Sequence, residues 1–301
     1  KRSTGDIIWA HRFLSAKTQV YQELHTYIIG IDMSSAFDTI DRKKLFEELS
    51  SFLDEDECRM VRILLSDTSI NILFDNSEEE FIPTNVGSPQ GDAISGTFFN
   101  VALEKSLRKL RQKIYSKKPE ITHCYAIQSS IPDELIYADD SDFVTEDNNT
   151  RKYIKNIKKE TLAEDNLKVN DDKTEETELV RHKTKGEEEW RNVKKLGSLL
   201  DCYKDMRRRI QLSYAAMNSI NKIWKHSKIR KEKKLLLNKS IVKPVLTYNC
   251  GTWGLTKKEE KEIDVAHRRQ LRSILNDKKI CNRKLYDICK EEPVSKSMII
   301  N

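Results

Sequence analysis

Glu134-Leu135-Ile136-Tyr137-Ala138-Asp139-Asp140-Ser141-Asp142-Phe143-Val144-Thr145 sets two short apolar runs on either side of a pair of adjacent carboxylates. The runs, Glu134 to Tyr137 and Ser141 to Thr145, read as two strands surrounding a tight acidic corner. A carboxylate at the end of an apolar strand costs free energy unless something positive compensates it. A nearby Lys or Arg, or a capping role, is one answer; a divalent cation is another. Paired Asp in a turn is common, so this corner alone decides little. A second site of the same kind lies far upstream, where the buried-strand pattern Tyr27-Ile28-Ile29-Gly30-Ile31 ends at Asp32. If the two strands are neighbours in one sheet, the carboxylates share a centre. Mg²⁺ binds through one or two carboxylates and keeps waters and substrate phosphates as its other ligands. Two such ions roughly 4 Å apart activate an attacking hydroxyl and neutralise a leaving pyrophosphate. That is phosphoryl or nucleotidyl transfer.

Outward from these two points the chain alternates. Ser3 or Thr4 can cap a first helix carrying Ile7, Ile8, Phe13 and Leu14 inward. Helices are expected at Arg42 to Leu49 and Glu55 to Leu65, and a hairpin at Ser69 to Phe74 and Phe81 to Val86. The loop Gly87-Ser88-Pro89-Gln90-Gly91 then opens a helix from about Ser95 to Tyr115. Another helix is expected near Thr150 to Glu164, and a hairpin from Val193 to Asp201. The order of strands and helices predicts an α+β fold, a sheet covered on one face by helices. From Lys204 the pattern is helical, over Lys204 to Lys225, Lys231 to Tyr248 with Pro244 as a kink or break, and Lys257 to Leu275. A domain boundary is expected near residue 203, dividing 1–203 from 204–301.

The 301 residues carry a net charge of +6, and 34% of them are charged. With a mean hydropathy of −0.67, the profile suits a soluble chain with much wetted helix, and its persistent apolar periodicity excludes disorder. The mild basicity permits a polyanionic partner without requiring one. Arg207-Arg208-Arg209, Lys222 to Lys234 and His267-Arg268-Arg269 place cations on helices, with Tyr214 and Trp224 among them. That surface as a whole fits phosphate contacts. The six cysteines form no CxxC pair and read as reduced thiols of an intracellular protein of the nucleus or cytoplasm. His267, Cys281 and Cys289 fit no standard zinc spacing. No stretch is apolar enough for a membrane span. The absence of an initial Met and of a closing helix terminator suggests a fragment cut at both ends.

Five motifs in order carry a family likeness. Asp32-Met33-Ser34-Ser35-Ala36-Phe37-Asp38 resembles the first palm motif of reverse transcriptases. Asn85 to Asp92, with Ser95 and Phe99-Asn100, resembles the second, and Tyr137-Ala138-Asp139-Asp140 the third. Asn166 to Asn170 with Lys173-Thr174 is similar to the fourth, and Leu196-Gly197 to the primer grip. The tail, with Tyr248, Gly251 and Trp253, is more loosely similar to the thumb of LINE-type elements. The chain is thus identified as resembling a reverse transcriptase of the non-LTR retrotransposon type.

The resemblance implies a right-hand polymerase palm with partial fingers and a helical thumb. It implies Asp32, Asp139 and Asp140 as carboxylates for two Mg²⁺ ions, for which Mn²⁺ can stand in. It implies Phe37, beside Ala36, as the steric gate under the sugar, and Gly87, Pro89, Gln90 and Gly91 against template and incoming nucleotide. Lys173 would lie near the pyrophosphate as a proton donor, and Arg2 would belong to the end of the finger region. The partners implied are an RNA template, a DNA primer and deoxynucleoside triphosphates. Asp38 and Asp41 read as structural, capping the helix that begins near Arg42. Gly96 stands where many relatives carry Pro. Two other readings compete: an RNA-binding protein descended from such an enzyme but no longer catalytic, and a two-metal nuclease, which leaves Gln90 and Phe37 unexplained.

Overall fold

The computed structural model describes residues 3–21, 24–34, 37–73, 79–88, 92–117, 133–170, 174–181 and 188–298. The chain forms two compact units. Glu23–Leu179 is one; Lys1–Gln22 together with Val180–Asn301 is the other. Compactness therefore divides the chain at 22/23 and 179/180, where the sequence places a boundary near 203. The opening helix α1 (Thr4–Val20) is part of the second unit.

In the Glu23–Leu179 unit, β1 (Thr26–Ile31) runs into the short β2 (Met33–Ser34). Two helices follow. α2 (Arg42–Leu49) starts at Asp41, whose carboxylate accepts from the Lys43 and Lys44 N–H groups at 2.9 and 3.3 Å. α3 (Glu55–Leu65) starts with a reciprocal Asp54–Glu57 capping box. The hairpin β3 (Ser69–Leu73) and β4 (Glu79–Pro83) leads to α4 (Ser95–Ser116). Then come β5 (Glu134–Tyr137), β6 (Asp140–Thr145), α5 (Asn148–Ala163), β7 (Lys168–Val169) and β8 (Glu176–Leu179).

Four strands form an antiparallel sheet in the order β5-β6-β1-β8. Ile29, Ile31 and Phe143 lie on the face that meets Phe99, Leu103, Leu107 and Leu110 of α4 and Ile154 and Leu162 of α5. Burying side chains of that size contributes roughly 1.5–3 kcal/mol each, so this layer holds the sheet in place. The α+β architecture expected from the alternation of elements is the one observed, and helices lie where they are expected, around Arg42 to Leu49 and Glu55 to Leu65.

The second unit contains α1, a hairpin of β9 (Lys194–Lys195) and β10 (Ser198–Leu199), and helices α6 (Cys202–Ser219), α7 (Asn221–Lys225), α8 (Lys231–Leu237), α9 (Lys243–Thr247), α10 (Lys257–Leu275) and α11 (Asn282–Cys289). Its apolar centres join Met206, Leu246, Trp253 and Ile263, and separately Met217, Trp224, Val242 and Ile274. The interruption expected at Pro244 takes the form of a π-turn over Asn238–Val242. Pro244 has no N–H to give the carbonyl four residues back, so the helix widens instead of continuing. No described helix is long and apolar enough to cross a membrane.

Candidate active site

The antiparallel register pairs Gly30 with Asp142 and Ile31 with Ser141. The next step along both strands sets Asp32 against Asp140, so these two carboxylates emerge side by side at one end of the sheet. β5 and β6 close at Tyr137 and Asp140, leaving Ala138-Asp139 as a two-residue turn at the same end. By strand alternation, Asp32 and Asp140 lie on the face opposite Ile29, Ile31 and Phe143. They therefore point away from the helix layer. Ala138 takes a positive φ of 54°, a conformation that costs a non-glycine residue on the order of 1 kcal/mol.

Asp32 is half-buried, and its Oδ2 is buried without a hydrogen-bond donor. The backbone at the strand exit is tied down: the Asn170 N–H donates to the Asp32 carbonyl at 2.9 Å, and β2 pairs with β7 through Met33 and Val169. The segment resembling the fourth motif is thus stitched to the first. A cation would satisfy the bare Asp32 oxygen. Among the described residues no three His, Cys, Asp or Glu side chains form a ready cage. Mg²⁺ does not need one, because waters and substrate phosphates complete its shell. The residues present fit such an ion.

Phe37 packs against Phe99 with ring centroids 4.7 Å apart. The Phe37-Asp38 turn is bound to the loop ahead of α4: Gly87 N–H donates to the Ile40 carbonyl and Ser88 N–H to the Phe37 carbonyl, each at 2.9 Å. Gly87 has φ +82°, and a Cβ there would lie 2.9 Å from the Asp38 Cα and carbonyl oxygen. Only glycine fits that close approach. So the first and second motifs, fifty residues apart along the chain, are joined through backbone.

Arg42, which sequence reasoning passed over, ties this loop down. Its guanidinium is buried and donates to the carbonyls of Gly87 (2.8 Å), Leu65 (2.7 Å) and Thr84 (2.9 Å). Burial lowers its pKa. Nothing in a lone Arg after an N-cap signals this; an Arg at the first position of a helix reads as surface. Asp41 is the expected cap, whereas Asp38 is exposed in the turn and is not the cap.

Of the other anticipated residues, Arg2, Ala36, Pro89, Gln90, Gly91 and Lys173 lie outside the described residues. Leu196 and Gly197 form the β9–β10 turn, both with positive φ, 43° and 76°. That is the primed turn two-residue hairpins favour, although Leu in place of Asn or Gly is strained. The tip is clasped within its own unit: Tyr248 donates to the Leu196 carbonyl at 3.0 Å, and Arg208 and Arg209 donate to the Gly197 carbonyl. Arg209, its pKa lowered by burial, stacks on Tyr248 at 4.3 Å. These two arginines are structural clasps and not free cations on a helix face. Trp224 likewise belongs to the core, donating to the Met217 carbonyl at 2.7 Å.

An antiparallel sheet backed by helices, with aspartates at the exposed end of two adjacent strands, is the palm of a template-copying polymerase. Residues 2–214 match the model of the reverse transcriptase (RNA-dependent DNA polymerase) family, and the chain belongs to that family. Among solved structures, telomerase from Candida albicans in complex with a TWJ fragment of telomeric RNA is similar over 96% of this chain and 52% of its own, with 13% identity and a TM-score of 0.53. Telomerase from Candida tropicalis with the TWJ fragment gives 13% identity, 98% and 52% coverage and a TM-score of 0.46. The apo enzyme from that species, truncated from its C-terminal domain, gives 18% identity, 60% and 35% coverage and 0.46. The first likeness is one of fold. The chain spans about half or less of the length of these structures.

Proposed function

We propose that this chain is the copying core of a non-LTR, LINE-type reverse transcriptase that extends a DNA primer on an RNA template by two-metal nucleotidyl transfer. The observation that supports it most is the register that sets Asp32 beside the Asp139-Asp140 turn, with a bare buried oxygen on Asp32. Asp32, Asp139 and Asp140 would hold Mg²⁺, which lowers the pKa of the attacking 3′-hydroxyl and neutralises the departing pyrophosphate. The chain's own residues do the positioning. Phe37, fixed by Phe99 and by the Gly87–Ser88 loop, lies under the sugar and excludes a 2′-hydroxyl. Ala36, Pro89, Gln90 and Gly91 line template and nucleotide, Lys173 protonates the leaving group, and Arg2 faces the triphosphate. The clasped Leu196-Gly197 turn holds the primer end. Residues 1–203 supply palm and partial fingers, and 204–301 supply the helical thumb and the start of the linker region that follows it. The protein works in the nucleus or cytoplasm.

The test is primer extension on an RNA template with Mg²⁺, comparing wild type with Asp139→Asn in a chain extended upstream through the fingers. Synthesis by the wild type that falls at least about a hundredfold in the variant supports the reading. Equal signals from both refute it. Tight RNA binding with no metal-dependent synthesis by either would favour a binding protein descended from such an enzyme.

A further inference from the structure

We propose that the Val180–Asn301 unit, together with α1, contains a binding site for a tetrahedral oxyanion, an inorganic phosphate or a phosphomonoester. A cavity of about 540 Å³ opens there, lined among others by Arg12, Gln19, Arg181, Trp190 and Thr256. Three of these residues bring donors that find no acceptor: Arg12 Nε, Gln19 Nε2 and Trp190 Nε1 are buried and unpartnered. Arg12 is 5% exposed and Trp190 4%, so bulk water does not serve them. The rest of the Arg12 guanidinium is engaged, donating to the Leu199 carbonyl at 2.7 Å, to Asp205 at 2.8 Å and to Thr252. Its Nε is left over.

A buried donor without a partner is left with its desolvation cost uncompensated. Three among the residues lining one cavity describe a ligand rich in acceptors and poor in donors. A tetrahedral oxyanion offers an oxygen to each of three donors, whereas a carboxylate has only two. Three arginines, Arg12, Arg181 and Arg191, line the cavity, and Arg181 among them has no carboxylate partner among the described residues. Exposed Arg181 lines the cavity, as do Asp201 to Tyr203 at the start of α6 and Thr256 ahead of α10. The lining carboxylates are already engaged. Asp201 accepts from Arg191 at 2.5 Å and from the Lys204 N–H at 2.8 Å; Glu259 accepts from the Thr256 N–H at 2.7 Å in a capping box. The site uses residues of this unit alone and is independent of the polymerase reading.

The experiment is calorimetric titration and thermal unfolding of the full chain in inorganic phosphate, with chloride at matched ionic strength as control. Trp190→Phe keeps the ring and deletes only the N–H; Gln19→Leu deletes the second donor. Without phosphate, Trp190→Phe should unfold no lower than wild type, because it removes a bare donor. With phosphate, wild type binds, and each variant binds about tenfold or more weakly. A short single-stranded RNA added as competitor separates the sources: displacement of phosphate assigns the site to a strand's backbone phosphate, and no displacement to a free small anion. Equal phosphate affinity in all three proteins, or no response in wild type, overturns the proposal. So does Trp190→Phe unfolding lower in both buffers, which would place a buried water on Nε1.

Discussion

Replacing Gly87 and Gly96 by alanine, one at a time, should move stability in opposite directions, although both glycines border the same motif. At Gly87 the backbone stands at φ +82°, and the new Cβ would meet the Asp38 Cα and oxygen at 2.9 Å and the Phe37 oxygen at 3.0 Å. These are main-chain atoms that cannot rotate aside. The left-handed conformation costs an alanine on the order of 1 kcal/mol. Relieving the clash must stretch the Gly87–Ile40 and Ser88–Phe37 hydrogen bonds, worth about 1 kcal/mol each. The sum is a loss of about 2–4 kcal/mol. At Gly96, in the first turn of α4, a Cβ meets nothing within 4 Å, and alanine should gain up to about 0.5 kcal/mol through helix propensity. Urea unfolding of the two variants against wild type measures both. Primer extension with limiting nucleotide should also show a raised KM for Gly87→Ala, because the displaced segment carries Phe37. A Gly87→Ala protein with wild-type stability would refute the locked contact between the two motifs.

Asp205 is fully buried and accepts from Arg12 at 2.8 Å, Leu199 N–H at 2.9 Å and Trp253 at 3.0 Å. Asp205→Asn should cost about 3–5 kcal/mol by stranding the Arg12 charge, read as a lower urea midpoint at unchanged slope. His267 is fully buried with neither ring nitrogen bonded, and burial lowers its pKa from 6.5 to about 4. Between those values the unfolded chain binds the extra proton and the folded one does not, so stability is full above pH 6.5 and is lost as pH falls towards 4. His267→Leu should flatten that limb in pH-dependent unfolding; an unchanged slope would assign it to other groups. Phe37→Val should raise the ratio of ribonucleotide to deoxynucleotide incorporation, and an unaltered ratio would remove Phe37 from the gate.

Much of this molecule was legible because its signals are local. Asp41 announces a helix start by its own hydrogen-bonding chemistry. The apolar runs ending on Asp32 and on the Asp139-Asp140 corner require only that β1 and β6 be neighbours, which the sheet order supplies. What escaped was the wiring between distant segments. Arg42 and Arg209 look like surface cations in the sequence, yet each is buried against carbonyls contributed by other elements. Asp205 looks like an ordinary acid of a helix first turn, and its partners lie on α1, on β10 and near the Trp253 turn. The attachment of α1 to the second unit is of the same kind, carried by Arg12 reaching Leu199 and Asp205. No periodicity encodes such pairings.

Backbone strain picks out two turns that burial does not. Seven described non-glycine residues have positive φ. Four are Asn or Asp, which tolerate that region, and Lys290 ends α11 in the usual left-handed cap. That leaves Ala138 and Leu196, each at the tip of a two-residue hairpin where Gly or Asn would be cheaper. Both sit in segments whose motifs point to chemistry. The two are held by different means. Ala138 is fixed by the ladder closing at Tyr137 and Asp140; Leu196 is fixed by Tyr248, Arg208 and Arg209 gripping its turn from outside. The proposed catalytic and primer-grip roles would each need a turn held in one backbone orientation, and the ladder at Ala138 and the three-residue grip at Leu196 supply that rigidity.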